Sequence, residues 1–470
     1  MKNIIRYIGL LLLAHLCSIF VVRSNVDNVA NLADNTTLSQ SDSLVIDDIN
    51  GEDLGLGDNI DLNGFKGFVQ KTVKFVTDDW IALGKKESNK FDFGRLQTFP
   101  SYNPIEGIRL RGGIASTTRF HPNMFLKGYV AYGFKYHKVK YRGELVYALN
   151  DRVYHDGEFP KNNISVVYEN DLYSPGELHP RALNDLLLFT YRRSINQAMY
   201  RNFAEINWER EYENGFSPTI WLRKSRMVPE GELAFERNTD NGIINDKALH
   251  TTAGGVILRY AYREAYEQDR RKRKPLEMTS PVFFIGYSMG RAEVFDETKY
   301  YNKLELSAQK RFSLGKYGRV DLIGEAMKVW NQVPFPLLLY PNQRFKHHIE
   351  NVPFYMLQAM EFVADEQFSV RSILIGDDMF LSRVPLLNKL NAKELLSFKA
   401  IIGRLSKSNR ENDLYQIPAM SFEYGSMPYM EASVGITSIL GMLRIEYVHR
   451  ITYRDHPDAA LGRIRVDVTM

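Results

Sequence analysis

Gly286-Tyr287-Ser288-Met289-Gly290 fits the G-x-S-x-G pattern of a serine nucleophile. That chemistry needs small residues around a sharp strand-to-helix turn, which exposes the serine hydroxyl beside oxyanion donors. Val282-Phe283-Phe284-Ile285 supplies a strand before the motif. His347, His348, His449 and His456 are the candidate bases, and Asp377 or Asp378 the orienting acid. Only His449 and His456 follow those acids, as the Ser–acid–His order requires. The helix that should come next is missing, because Arg291 to Glu297 has no amphipathic period. The βα alternation of a hydrolase is missing too. The expectation is a protein that is not an enzyme, and a serine hydrolase through Ser288 is the competing reading.

Other chemistry has less to stand on. His347-His348 has no Glu or third His at ligand spacing, so no metal site is expected. Walker-type loops, dinucleotide fingerprints and calcium loops are absent, so no cofactor is expected either. The one cysteine, Cys17, lies in the leader-like first segment, so the remaining chain has no thiolate chemistry and no disulfides.

The elements that would have to position any site alternate with a period of two. Ile464, Val466, Val468 and Met470 interleave with Arg463, Arg465, Asp467 and Thr469. Leu443, Ile445 and Tyr447 oppose Arg444, Glu446 and Arg450. Leu126, Val130, Tyr132 and Phe134 form another apolar face, and Ile206 and Trp208 oppose Glu205, Asn207 and Glu209. A strand between lipid and an aqueous lumen needs this pattern. Soluble sandwiches alternate as well, but with strands of about five or six residues, and these run to about ten. After the first 24 residues no apolar run reaches about 18, which excludes a bundle of membrane-spanning helices. The fold class expected is all-β, a transmembrane antiparallel β-barrel of 14 to 16 strands.

Sixteen segments alternate, from 107–118 to 461–470, with 353–363 counted among them. An even count puts both ends of the barrel on one side. It also puts the long connections 171–197, 228–249 and 337–352 on that side, where short turns are expected.

Met1 to Ser24 resembles a secretory signal, with Lys2 and Arg6 ahead of the apolar stretch from Ile8 to Val22. Residues 25–65 hold nine acidic residues and no basic one, as in a flexible acidic linker. Residues 66–105 are expected as a periplasmic or plug segment, and 106–470 as the barrel. From Lys66 onward 57 basic residues face 47 acidic ones, a scattered excess that does not indicate nucleic acid. The sharpest basic run is Arg270-Arg271-Lys272-Arg273-Lys274, a candidate contact for lipopolysaccharide phosphates.

Several strings resemble an outer-membrane barrel family of Bacteroidota with no established function, often fused to a carboxypeptidase-regulatory-like domain. They include Asn103-Pro104-Ile105-Glu106-Gly107-Ile108-Arg109-Leu110-Arg111-Gly112-Gly113, Lys328-Val329-Trp330 and Glu361-Phe362-Val363-Ala364-Asp365. Phe380-Leu381-Ser382-Arg383-Val384-Pro385 and Pro428-Tyr429-Met430-Glu431-Ala432-Ser433-Val434-Gly435-Ile436 continue the match in order. The acidic linker stands where the extra domain would be. Leu440-Gly441-Met442-Leu443-Arg444-Ile445-Glu446 is similar to the closing strands of insertase and two-partner-secretion barrels.

The resemblance implies an outer-membrane location and a role in transport or outer-membrane biogenesis, with solute, lipid or protein as client. A structural or surface-interaction barrel with a plugged lumen is the other reading of the same fold. The partners expected are outer-membrane lipids, lipopolysaccharide, the barrel assembly machinery, and periplasmic or outer-membrane proteins. Asp42-Ser43-Leu44 resembles the Bacteroidota O-glycosylation acceptor.

Overall fold

Strict alternation over ten or more residues gives an extended chain one apolar face and one polar face, and its backbone N–H and C=O groups are satisfied by pairing with neighbouring strands. In the computed structural model this produces an all-β antiparallel barrel. The structure describes residues 80–468, apart from 84–87, 95–99, 104, 176–196, 269–270, 272, 276–279, 342–352, 378, 385–391, 412, 440–442 and 458. The signal-like segment, the acidic linker with Ser43, and His347-His348 lie outside the described residues.

Three short strands come first: β1 (Trp80–Ala82), β2 (Phe91–Gly94) and β3 (Pro100–Asn103). An unbroken meander follows through β4 (Gly107–Ser116), β5 (Met124–Gly133), β6 (Lys138–Ala148), β7 (Asn162–Tyr173), β8 (Gln197–Arg210) and β9 (Phe216–Gly231). A small hairpin of β10 (Glu236–Thr239) and β11 (Gly242–Asn245) precedes β12 (Leu249–Ala261), which pairs with β9. Another, β13 (Tyr266–Gln268) with β14 (Arg273–Pro275), leads to β15 (Val282–Val294) and β16 (Glu297–Ser313). The wall continues as β17 (Arg319–Trp330), β18 (Glu366–Ile375), β19 (Lys393–Arg404), β20 (Tyr429–Ile439), β21 (Leu443–Arg450) and β22 (Gly462–Val468).

The free edge of β4 is taken by two strands in series. β3 pairs with its first half and β2 with its second. β2 and β3 together therefore count as one broken stave, and with the fifteen from β4 to β22 the count is sixteen. The sheet begins ahead of the boundary at 106 expected from the sequence. β1 lies on the outer edge of β2, and among the described residues β22 pairs with β21 alone.

Two segments differ from the alternation count. The expected strand at 353–363 is not one. Its backbone makes turns and isolated bridges, and Phe354, Leu357 and Phe362 are buried on every side. The stave at 91–103 takes its place in the tally. The exchange also resolves the conflict over loops. The strand ends that flank the connections after β7, β9, β17 and β19 all lie at the rim opposite the one where β2 starts and β22 ends. We call these the distal and proximal rims.

The β16–β17 turn depends on one glycine. Gly318 sits at φ +114°, and a Cβ there would lie 2.1 Å from the carbonyl oxygen of Ile375. Gly318→Ala should cost about 1–3 kcal/mol, because a left-handed conformation and a backbone clash coincide. A urea titration of the folded barrel checks this, and an unchanged midpoint would contradict it.

Candidate functional site: a charged lumen and its plug

The inner wall is polar and the outer wall apolar, the reverse of a soluble protein. Along β7, Ile164, Val166 and Tyr168 are exposed, while Asn163, Val167, Glu169 and Asp171 are buried. Along β21 and β22, Ile445, Tyr447, Ile464 and Val466 face out, and Arg444, Glu446, Arg450 and Arg465 face in.

Charges this deep need partners, and the described wall supplies them. On the β4–β8 side, Arg109 Nη2 donates to Asp171 Oδ2 at 2.6 Å, and Tyr129 donates to the same oxygen at 2.5 Å. Lys140 pairs with Glu106, both fully buried, and Arg142 bridges Glu169 and Glu144. On the closing side, Glu446 takes Arg444 at 2.9 Å and Arg465 at 2.5 Å. Arg371 meets Glu325 at 2.5 Å.

The distal loops fold inward to fill what these walls surround. Phe235 from 232–248 stacks on Tyr415 from 405–428, with centroids 4.8 Å apart and planes 6° apart, and meets Phe335 from 331–365 edge-on at 5.8 Å. Leu338, Leu339, Val363 and Leu414 join this core, which packs on Tyr173, Phe284, Tyr301 and Met327 of the wall. Burial, then Asp246, pushes the Tyr415 hydroxyl pKa upward, so it stays a donor to Asp246 at 2.6 Å. Burial likewise raises that of Tyr340, whose hydroxyl donates to the Phe335 carbonyl at 2.9 Å.

Residues 353–362 go deepest. The amides of Tyr355 and Met356 both donate to the Glu431 carboxylate at 3.0 Å. Lys399 Nζ bridges Glu431 at 3.0 Å and the Pro353 carbonyl at 2.8 Å. Arg465 lies 3.6 Å above the Tyr355 ring. Arg450, fully buried, grips Glu361 through two nitrogens at 2.5 and 3.2 Å, and His456 reaches Glu361 at 3.0 Å. Nearby, Asp365 accepts the Ser406 amide at 3.0 Å and the Asn409 amide side chain at 2.8 Å. The wall charges of β19–β21 therefore hold the plug in place.

Ser288 lies mid-strand in β15, facing the lumen, with Gly255 and Lys303 as its register neighbours. No turn follows it. Asp377 pairs with Lys393 at 2.6 Å, His456 with Glu361, and His449 is opposite Ala432 in the closing strands. Among the described residues none of these groups meets Ser288, and no cluster of metal-ligating side chains occurs. Within the basic run, Arg271 and Arg273 lie at the proximal rim. Arg271 pairs with Asp92 and donates to the Ser116 carbonyl at 2.6 Å, and Arg273 binds both oxygens of Glu211 at 2.8 and 2.7 Å.

Spacing in the sequence gave no notice of Arg450–Glu361 or Arg109–Asp171, which join residues 89 and 62 positions apart. Glu361 and Asp365 were visible only as part of the string Glu361-Phe362-Val363-Ala364-Asp365.

No curated protein matches this chain. Among solved structures, it is similar to BamA from Haemophilus ducreyi lacking POTRA domains 1–3, at 12% identity and TM-score 0.46, covering 80% of this chain and 70% of that one. It is also similar to OccK11 (OpdR) of Pseudomonas aeruginosa, at 8% identity and TM-score 0.29, covering 80% of this chain and 91% of that one. Residues 78–411 match the family of unknown function DUF5686, in its C-terminal domain, and at more than two thirds of its length the chain belongs to that family.

Proposed function

We propose that this chain is an outer-membrane barrel, shut at its distal rim by its own loops, that takes part in transport or outer-membrane biogenesis. The observation that carries this is the inverted polarity of the wall: exposed Val130, Leu222, Met289 and Ile464 outside, buried ion pairs inside. Water cannot satisfy an apolar outer surface of this extent, and a bilayer can. Aromatic side chains border the band at both rims, Tyr147, Tyr262, Phe283 and Phe312 proximally and Phe134, Tyr136 and Tyr300 distally. The start of β2 and the end of β22 then face the periplasm and the long loops face outward.

The filled lumen favours a gated or plugged barrel over an open pore. Its client is a solute, lipid or protein that moves the plug or travels without passing it. The barrel acts without covalent catalysis, so a fluorophosphonate probe should leave Ser288 unlabelled. In planar bilayers the wild-type protein should conduct far less than an open sixteen-stranded porin. Glu431→Gln, which weakens the hold on the Tyr355 and Met356 amides, should add intermittent openings. A large, steady conductance from the wild-type protein would overturn the plugged reading.

A further inference from the structure

The outer wall carries a group of exposed cations on β9 and β15, two of which have no partner among the described residues. Lys224 and Arg226 are outward positions on the distal half of β9, following Ile220 and Leu222 on the same face, and both are exposed. Register sets Lys224 opposite Thr252, Thr252 opposite Arg291, and Arg291 opposite Tyr300. One step nearer the rim, Arg226 is opposite His250 and His250 opposite Glu293. With strands about 4.8 Å apart, Lys224 and Arg291 stand on backbones roughly 10 Å from each other. Arg291 meets Glu293 at 3.7 Å, with both side chains half exposed. Lys224 and Arg226 form no ion pair or hydrogen bond among the described residues. Two other cations toward the distal rim are paired: Lys138 with Glu230 at 2.7 Å and Lys328 with Glu366 at 2.5 Å.

Directly below this row of donors the wall is almost wholly apolar. Leu222, Gly254, Met289 and Asn302 form the next row, with Asn302 its one polar side chain, then Ile220, Val256, Tyr287 and Leu304, then Pro218, Leu258, Ile285 and Leu306. Most of these side chains are exposed. A soluble anion would use only the upper half of such a surface. An amphiphile with a phosphorylated head and acyl chains fits both halves, with ammonium, guanidinium and hydroxyl donors on the phosphate and the apolar rows along the chains.

We propose that the outer wall of β9, β12, β15 and β16 binds the phosphorylated headgroup of a membrane lipid through Lys224, Arg226 and Arg291, with Thr252 and Tyr300 as further donors. This places a lipid phosphate contact at the distal outer wall, apart from the Arg270–Lys274 run that the sequence suggested. It rests on the membrane-embedded reading above.

The test compares wild type, the triple variant Lys224→Gln/Arg226→Gln/Arg291→Gln, and Lys310→Gln, an exposed cation near the proximal rim of β16. Native mass spectrometry counts phosphatidic acid or lipid A retained per barrel, with phosphatidylcholine as the neutral probe and excess inorganic phosphate as competitor. The triple variant should retain about tenfold less phosphorylated lipid, or lower still, at equal heat-modifiable folded fraction. Lys310→Gln should match wild type, phosphatidylcholine should be lost, and inorganic phosphate should not displace the lipid. Equal retention by triple variant and wild type would overturn the proposal, as would displacement by inorganic phosphate alone. A wild-type barrel that inserts into bilayers but keeps no phosphorylated lipid defeats this proposal alone, whereas failure to insert defeats the membrane reading beneath it.

Discussion

Arg450→Met should lower the stability of the folded barrel by about 3–5 kcal/mol, the largest single effect expected in the wall, because it leaves the Glu361 carboxylate buried without its guanidinium. Arg450 is completely enclosed and binds both oxygens of Glu361, which is itself only 3% exposed. Glu361 belongs to the plug and Arg450 to β21, so the pair ties the plug to the wall beside the Glu431 and Lys399 contacts. Changing both partners, Arg450→Met with Glu361→Gln, removes the uncompensated charge and should recover most of the loss. Urea titrations of the four proteins in detergent measure the coupling. Additive losses from the two single changes would show that the pair does not hold the plug.

Val466→Arg should reduce the assembled barrel far more than Arg465→Ser. Val466 is exposed on the outer wall at 39%, and Arg465 is 8% exposed on the inner wall. An arginine on the lipid face near mid-bilayer costs roughly 2–4 kcal/mol, and less toward the interfaces. Losing Arg465 still leaves Glu446 with Arg444 at 2.9 Å, so the buried carboxylate keeps a cation. The heat-modifiable folded fraction at equal expression reads the difference. Normal assembly of Val466→Arg together with failure of Arg465→Ser would reverse the two faces.

These two faces were legible in the sequence because a strand has a period of two and no freedom to redistribute its side chains. Ile464 and Arg465 fall where alternation puts them, and so do Tyr447 and Glu446. Length was legible for the same reason, and fifteen of the sixteen alternating segments are staves. The two misread segments have separate physical causes. Phe354, Met356 and Leu357 are apolar because the plug is buried all round, and a short buried loop has the composition of a strand without its ladder. The stave at 91–103 escaped notice because it is broken: β2 meets β4 with Phe91 opposite Ser116, and β3 resumes with Pro100 opposite Leu110, three residues out of step. Proline at a strand's start also weakens the signal. The lumen network was hidden for a different reason. Alternation tells that Arg109 and Asp171 face inward, but only the curvature of the sheet decides that they meet.

The central claim is that adjacent residues on one stave face lipid and lumen in turn. Single cysteines in a Cys17→Ser background, at Val130 and Ala131 and at Ser433 and Val434, allow spin labels to report it in reconstituted bilayers. Val130 and Val434 are exposed at 58% and 56%, while Ala131 is 1% exposed and Ser433 7%. Labels at 130 and 434 should be relaxed strongly by oxygen and weakly by a water-soluble nickel chelate, and labels at 131 and 433 should show neither the oxygen effect nor its depth dependence. Equal oxygen accessibility within each pair, or strong nickel relaxation at 130 and 434, would contradict a barrel that turns its apolar face to the membrane.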